Sequence, residues 1–506
     1  MNVDSMVSDA AEAGPYVSQG ADPESMTGVV SASAKLVVRV DEPPKFELES
    51  YIANYTGRTR FNRLYLIGTS SSYLAVEALR AAVAEAKSGK DVSRYLRAVL
   101  ALAAAAPNDP EATVDRDWAD RLQRVVKSET NRLEHELKGY KNNLIKESIR
   151  MGNEDLGQHY HQAGDLTNAF KAYSRMRDFC TTSSHIASML FKVITVAIER
   201  GDWLSVQSNV YRLRGQAAKP EEQAKHQPKM SAALGLSQLH AGSYVEAANS
   251  FLATDPSLGD TYNEVISSND VAVYGGLCAL ASMDRNELQR RVLDNRSFRN
   301  FLELEPQIRR AISFFCNSKF RPCLEILEAY RADYLLDIHL QRHVQTLYTR
   351  IRTKSIQQYL IPFNRVSLDS MAKIFVLTPT PTSQSDLQPT QTETETTSNP
   401  AFLNELITLV QDGTLDARID LEKHVIVSNQ GDKRVEVQEA TLDSIDNYIR
   451  EAHLRLLRSN IIRAGLEVRP AGAGDERRSK LDERDAVGKR GHGAIGNFLR
   501  TTGMKQ

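Results

Sequence analysis

Three groups of residues have types and spacings that could do chemistry. His159-Tyr160-His161 forms an H-x-H pair, the spacing of a zinc hydrolase ligand set. Two residues apart on a helix, however, side chains diverge by about 200°. The acidic ligand that such a pair calls for, eleven residues on, would fall at Ala172. His339 and His343 stand one helical turn apart, as in H-E-x-x-H, but Leu340 occupies the position of the general-base Glu. Gly491-His492-Gly493-Ala494-Ile495-Gly496 is a literal G-x-G-x-x-G, with no strand before it and no βαβ unit around it. No nucleophile elbow or triad frame is present. The sequence therefore predicts no catalytic residue, no resident metal and no cofactor, and the histidines read as parts of helix faces.

The elements that carry these residues are helical. Composition suits a folded chain of two or three domains: 506 residues, 41% hydrophobic, net charge −1. Residues 1–44, rich in Ser, Ala, Gly and acids, are expected to be a disordered arm. Residues 45–361 carry nearly continuous helical periodicity. Within them, Leu156-Gly157-x2-Tyr160, Ala163-Gly164-Asp165 and Ala169-x3-Tyr173 follow the tetratricopeptide pattern, and Leu234-Gly235, Ala241-Gly242 and Ala247-x3-Phe251 repeat it. Arg200-Gly201-Asp202 marks a degenerate copy, and the turn glycines lie 37 and 41 residues apart. One helix pair cannot cover its own apolar face, so the pairs must stack into an irregular solenoid, pictured as a curved rod.

After Pro362 the period changes. Helix signals at 367–375 and 403–410 precede strand-like runs at 417–420 and 425–427, with 434–437 as a third candidate strand. Residues 362–440 therefore read as a winged helix, interrupted by a low-complexity insert at 378–400 that is expected to be disordered. Residues 441–463 read as one long helix and 464–506 as a disordered tail. On that helix Leu442, Ile445, Ile449, Ala452 and Leu456 recur at intervals of three and four, the seam of a helix bundle. Val425, Ile426 and Val427 are expected to form an exposed wing edge on which a neighbouring chain could add a strand.

Composition also bounds the partners. Lys+Arg 63 against Asp+Glu 64 supplies no global field for polyanions. Between 401 and 428, the would-be DNA-reading half of the winged helix, five acids face only Arg418 and Lys423, the wrong sign for phosphate contacts. The longest apolar run, 98–106, is too short to span a bilayer, and no positive side chain precedes Lys35. Neither nucleic acid nor membrane is expected as a partner. Cys180, Cys278, Cys316 and Cys323 have no metal spacing and are expected to be reduced thiols of the cytosol or nucleus.

Helical repeats running into a winged helix resemble the PCI module of proteasome-lid, signalosome and initiation-factor subunits. The segment Phe46-Glu47-Leu48-Glu49-Ser50-Tyr51-Ile52-Ala53-Asn54-Tyr55-Thr56-Gly57-Arg58-Thr59-Arg60, with Arg63-Leu64, is similar to the N-terminal signature of the signalosome subunit-one family. Leu347-Tyr348-Thr349-Arg350-Ile351-Arg352, Ile356-Gln357-Gln358-Tyr359 and Glu405-Leu406-Ile407 through Ala417-Arg418-Ile419-Asp420 resemble the same family. The similarity covers about 45–468; the insert at 378–400 departs from it. The resemblance implies a non-catalytic scaffold in the nucleus and cytoplasm. It further implies that other signalosome subunits bind the winged-helix edge and C-terminal helix, and that cullin deneddylation and cullin-RING ubiquitin ligases are the targets. The alternatives are a proteasome-lid or initiation-factor subunit of the same architecture, and a winged-helix nucleic-acid binder.

Overall fold

The computed structural model describes residues 38–216, 220–376, 400–428 and 433–466, in two compact units that divide at Ser428. Residues 1–37 of the expected arm, 378–399 of the expected insert 378–400, and 467–506 of the expected tail, with its Gly-rich stretch at 491–496, lie outside the described residues. The last residues of the arm, 38–44, are ordered, against expectation: Val40 is buried and bridges to Ser71, its N–H donating to the Ser70 carbonyl and its own carbonyl accepting from the Ser72 N–H. No described helix is long and apolar enough to cross a membrane.

In the larger unit the helices 116–142, 146–163, 166–175, 183–200, 203–216, 220–240, 244–252 and 268–282 each pack on the next. The repeat motif explains the close pairing. A Cβ on Gly157 would lie 2.5 Å from the Tyr173 ring, and one on Gly235 would lie 2.7 Å from the Phe251 ring. Only the absent side chain lets each aromatic fill the angle between its two helices. Gly164 ends helix 146–163 at φ +94°, a left-handed cap that costs a Cβ-bearing residue about 1 kcal/mol or more. Asp165 then caps the next helix by accepting from the Asn168 N–H.

The apolar core runs without a break from Ala169 to Ile426, so solenoid and winged helix share one interior. The first four helices, Leu48–Ala53, Gly57–Ser70, Ala75–Ser88 and Val92–Ala105, build a second core around Ile67, Leu79 and Val99. That core is completed by Ala332 and Leu336, from the far end of the repeats. The N-terminal helices thus fold back onto the later repeats instead of extending the rod.

The wing is a three-stranded antiparallel sheet of β1 (Arg365–Ser367), β2 (Ala417–Asp420) and β3 (Val425–Ser428), in the order β1-β3-β2. Two sequence expectations are corrected here. Val425, Ile426 and Val427 do not form an edge: Ile426 pairs with Val366 on one side and Ile419 on the other, and is fully buried. An apolar run of this kind gains most in the centre, where both backbone edges and one face are covered. The free edges belong to β1 and β2. The third strand is β1, not 434–437; those four residues lie in helix Lys433–Arg463. Alternation over so short a span also fits one helical turn, and no Gly or Pro interrupts the chain from 433 to 463.

The smaller unit, as described, is that helix, which begins eight residues before the expected 441. Leu442, Ile445, Ile449 and Leu456 are 62%, 48%, 58% and 64% exposed, and Ala452 is half-buried.

Candidate functional site

A buried polar cluster sits where the N-terminal helices meet the repeats. Arg63 lies between Phe61 and Leu64 on the apolar face of helix Gly57–Ser70 and is completely buried. Such a charge is tolerated only if it is paired and hydrogen-bonded. Its guanidinium donates to Asp270 at 2.7 Å and to Asp337 at 2.6 Å, partners more than 200 residues away. It also donates to Tyr51 and to the Tyr274 hydroxyl (3.2 Å), and lies 4.0 Å from the Tyr55 ring centroid.

Each acid is held by its own element. Asp270 is the N3 residue of a capping box with Ser267 at the start of helix Ser268–Ser282, and accepts from the Tyr55 hydroxyl at 2.7 Å. Asp337 accepts from the His339 and Leu340 N–H groups at 2.8 and 3.0 Å and from Tyr274. Burial opposes its charge, but Arg63 and these donors hold it below the usual carboxylate range. Arg63 stays well above its ordinary value, because two carboxylates outweigh its burial. Beside this node, Thr56 N–H and Thr59 Oγ1 bond to the carbonyls of Asn263 and Glu264. Arg58 joins Asp91 (3.0 Å), Glu199 (2.8 Å) and the His161 carbonyl (3.1 Å). The family-like segment 46–64 is therefore an ionic clamp between the first helices and the repeats.

Each of the four candidate metal-type histidines is engaged in its own hydrogen bond. His159 Nε2 pairs with Thr130 Oγ1 at 2.9 Å, and His161 Nε2 with Glu199 at 2.9 Å. His339 Nδ1 meets His240 Nε2 at 2.9 Å, with the His240 ring stacked on Trp203 at 3.9 Å, and His343 Nδ1 meets the Tyr244 hydroxyl at 3.1 Å. Among the described residues no three His, Cys, Asp or Glu form a metal-holding group. Nothing in the sequence brought His240, Asp270 or Asp337 forward. The available signal was Arg63 itself, a charge on an apolar helix face that requires a buried acid.

The histidines carry a pH prediction. Burial pushes His339 down to about 4, and burial with the neighbouring His339 and His343 pushes His240 down to about 2. Their unfolded value is about 6.5, so the unfolded chain binds the extra protons. Stability is full above pH 6.5 and falls as pH drops towards 4, by up to about 1.4 kcal/mol per pH unit for each ring. The urea midpoint should be lower at pH 5 than at pH 7 by an amount equivalent to on the order of 2–4 kcal/mol. An unchanged midpoint would mean that the rings take up protons without loss of the fold.

The winged helix is turned inward. Arg352 makes a bidentate pair with Glu405 at 2.6 and 2.9 Å and donates to the Phe375 carbonyl at 2.8 Å. The helix Pro400–Gln411 that would read DNA thus packs on its own chain through Glu405, Phe402 and Leu406.

The comparisons agree with this architecture. Residues 115–291 match the family model "26S proteasome subunit RPN7", and residues 327–430 match the PCI domain. The COP9 signalosome complex subunit 1 of Emericella nidulans is 80% identical over 97% of this chain and 95% of its own length. That of Arabidopsis thaliana is 38% identical over 84% and 92%. The 26S proteasome non-ATPase regulatory subunit 6 of Caenorhabditis elegans reaches only 21% over 67% and 78%, which leaves the lid a distant relation. With repeats, PCI winged helix and N-terminal clamp all inside the aligned span, the chain belongs to the COP9 signalosome complex subunit 1 family.

Proposed function

We propose that this protein is a non-catalytic scaffold of a signalosome, supporting cullin deneddylation and through it the control of cullin-RING ubiquitin ligases in nucleus and cytoplasm. The observation that carries the reading is helix Lys433–Arg463, which exposes Leu442, Ile445, Ile449 and Leu456 together. A helix with that seam exposed is built to be covered by partner helices. Lateral contact between winged helices is assigned to the free edge of β2, Ala417–Asp420, since β3 is paired on both sides. The isopeptidase belongs to another subunit, in keeping with histidines that are committed to internal bonds.

Affinity purification of the tagged chain from its own cells, with identification of the bound proteins, tests this reading. Recovery of the remaining signalosome subunits in stoichiometric amounts is expected. Recovery of proteasome-lid proteins in their place would overturn it.

A further inference from the structure

A second feature of the clamp is a cavity of about 250 Å³ between segment 45–55, helix Ser268–Ser282 and residues 305–340. This is below the roughly 300–1,000 Å³ typical of pockets for drug-sized ligands, and suits a single side chain. Its wall is aromatic and acidic. Tyr51, Tyr330 and Tyr334 line it, together with the carboxylates of Glu305 and Asp333.

The charges there are unequal. Arg63 bonds to both Asp270 and Asp337, so one positive charge is shared between two carboxylates. Glu305 accepts from the side-chain amides of Asn269 (2.7 Å) and Gln307, and Asp333 accepts from the Lys45 N–H at 2.9 Å. These are neutral donors. Burial, and the like charge of Asp270 and Asp333, push Glu305 above the ordinary carboxylate range, and burial does the same to Asp333. An independent observation points to a ligand. The Tyr334 side chain is 5% exposed, yet its buried hydroxyl has no hydrogen-bond partner among the described residues. Lys45 itself lines the cavity, its ammonium 4.4 Å from the Tyr330 ring centroid and its charge partly offsetting the burial of Asp333, so one lysine already faces the two carboxylates Glu305 and Asp333.

We propose that this cavity binds an organic cation, an ammonium or guanidinium group. Glu305 and Asp333 supply the counter-charge, the Tyr334 hydroxyl accepts one N–H, and the ring faces of Tyr51 and Tyr330 flank the cation. The source is either a basic side chain of a bound peptide or a free polyamine. The carboxylates select charge, and the small volume excludes anything larger than one such arm.

The test uses the full chain and three probes: Nα-acetyl-lysine methylamide, its Nε-acetylated neutral analogue, and spermidine. Saturation-transfer NMR and the rise in melting temperature report binding. The charged lysine probe or spermidine should bind and the neutral analogue should not. The double variant Glu305→Gln/Asp333→Asn should weaken binding by about tenfold or more, the range for charge-assisted hydrogen bonds. Tyr334→Phe, which keeps the ring, should weaken it severalfold and serves if the double variant fails to fold. Preference for the lysine amide assigns the site to a peptide, and preference for spermidine to a free polyamine. No binding at millimolar concentrations, or binding that both variants leave unchanged, overturns the proposal.

Discussion

Replacing Arg63 with Ala should cost about 3–5 kcal/mol of stability, the range for breaking a buried ion pair by removing one partner. The guanidinium is completely buried and is the only cation bonded to Asp270 and Asp337 among the described residues. Its removal leaves two carboxylates facing each other inside the protein, with Tyr55 and Tyr274 as their remaining side-chain donors. The loss should concentrate where those acids hold the N-terminal helices. Limited proteolysis should therefore open residues 45–105 before the repeats, and the denaturant midpoint should fall. Arg63→Lys should recover only part, since one ammonium lacks the guanidinium's planar fork for serving two acids at once. The triple change Arg63→Met/Asp270→Asn/Asp337→Asn removes the charges together and should be milder than Arg63→Ala alone. A loss below about 1 kcal/mol for Arg63→Ala would place the clamp's stability in the Ala332 and Leu336 contacts instead.

The double change Ile445→Asp/Ile449→Asp should release the subunit from its complex while leaving its own fold intact. Leu442, Ile445, Ile449 and Leu456 are all about half exposed or more in the chain itself, so polar replacements remove little intramolecular packing. Surface substitutions of that kind change stability within about 0.5 kcal/mol. Against partner helices the accounting reverses. Each large apolar side chain buried there contributes on the order of 1.5–3 kcal/mol, and the four together about 6–12 kcal/mol before association costs. Truncation should remove 433–506 rather than begin at 441, because the helix starts at Lys433. A monomer with unchanged melting temperature that no longer co-purifies with its partners is the expected product. Normal assembly, or an insoluble chain, would sink the bundle reading.

Much of the fold is legible in the sequence because repeats are local. The Gly-aromatic pairs Gly157–Tyr173 and Gly235–Phe251 lie 16 residues apart in the chain and touch in space, so a short window contains both halves of the contact. Helix caps such as Asp165, which directly follows its turn glycine, are likewise short-range properties. The wing itself was only half legible. β2 and β3 are neighbours joined by a short turn, whereas β1 enters the sheet from the far side of an insert and two helices. Nothing near Val425 records that Val366 lies beside Ile426, so a central strand reads as an edge. The strand-like look of 434–437 has the same origin, since four alternating residues serve a strand or a helical turn equally until the surrounding chain decides.

By itself the sequence determined that the chain is a helical-repeat scaffold ending in a winged helix and an apolar helix. Those features follow from periodicity and turn chemistry over ten to forty residues. Tertiary structure alone decided that the N-terminal helices fold back onto the repeats, and that Arg63 finds Asp270 and Asp337 across 207 and 274 residues. It also decided that His240 meets His339, and that Glu305, Asp333 and Tyr334 share one cavity. The physical reason is the same in each case. A buried charge states that it needs a partner, but many acids along the chain could answer, and only the packing of the apolar cores selects which of them comes within hydrogen-bonding distance.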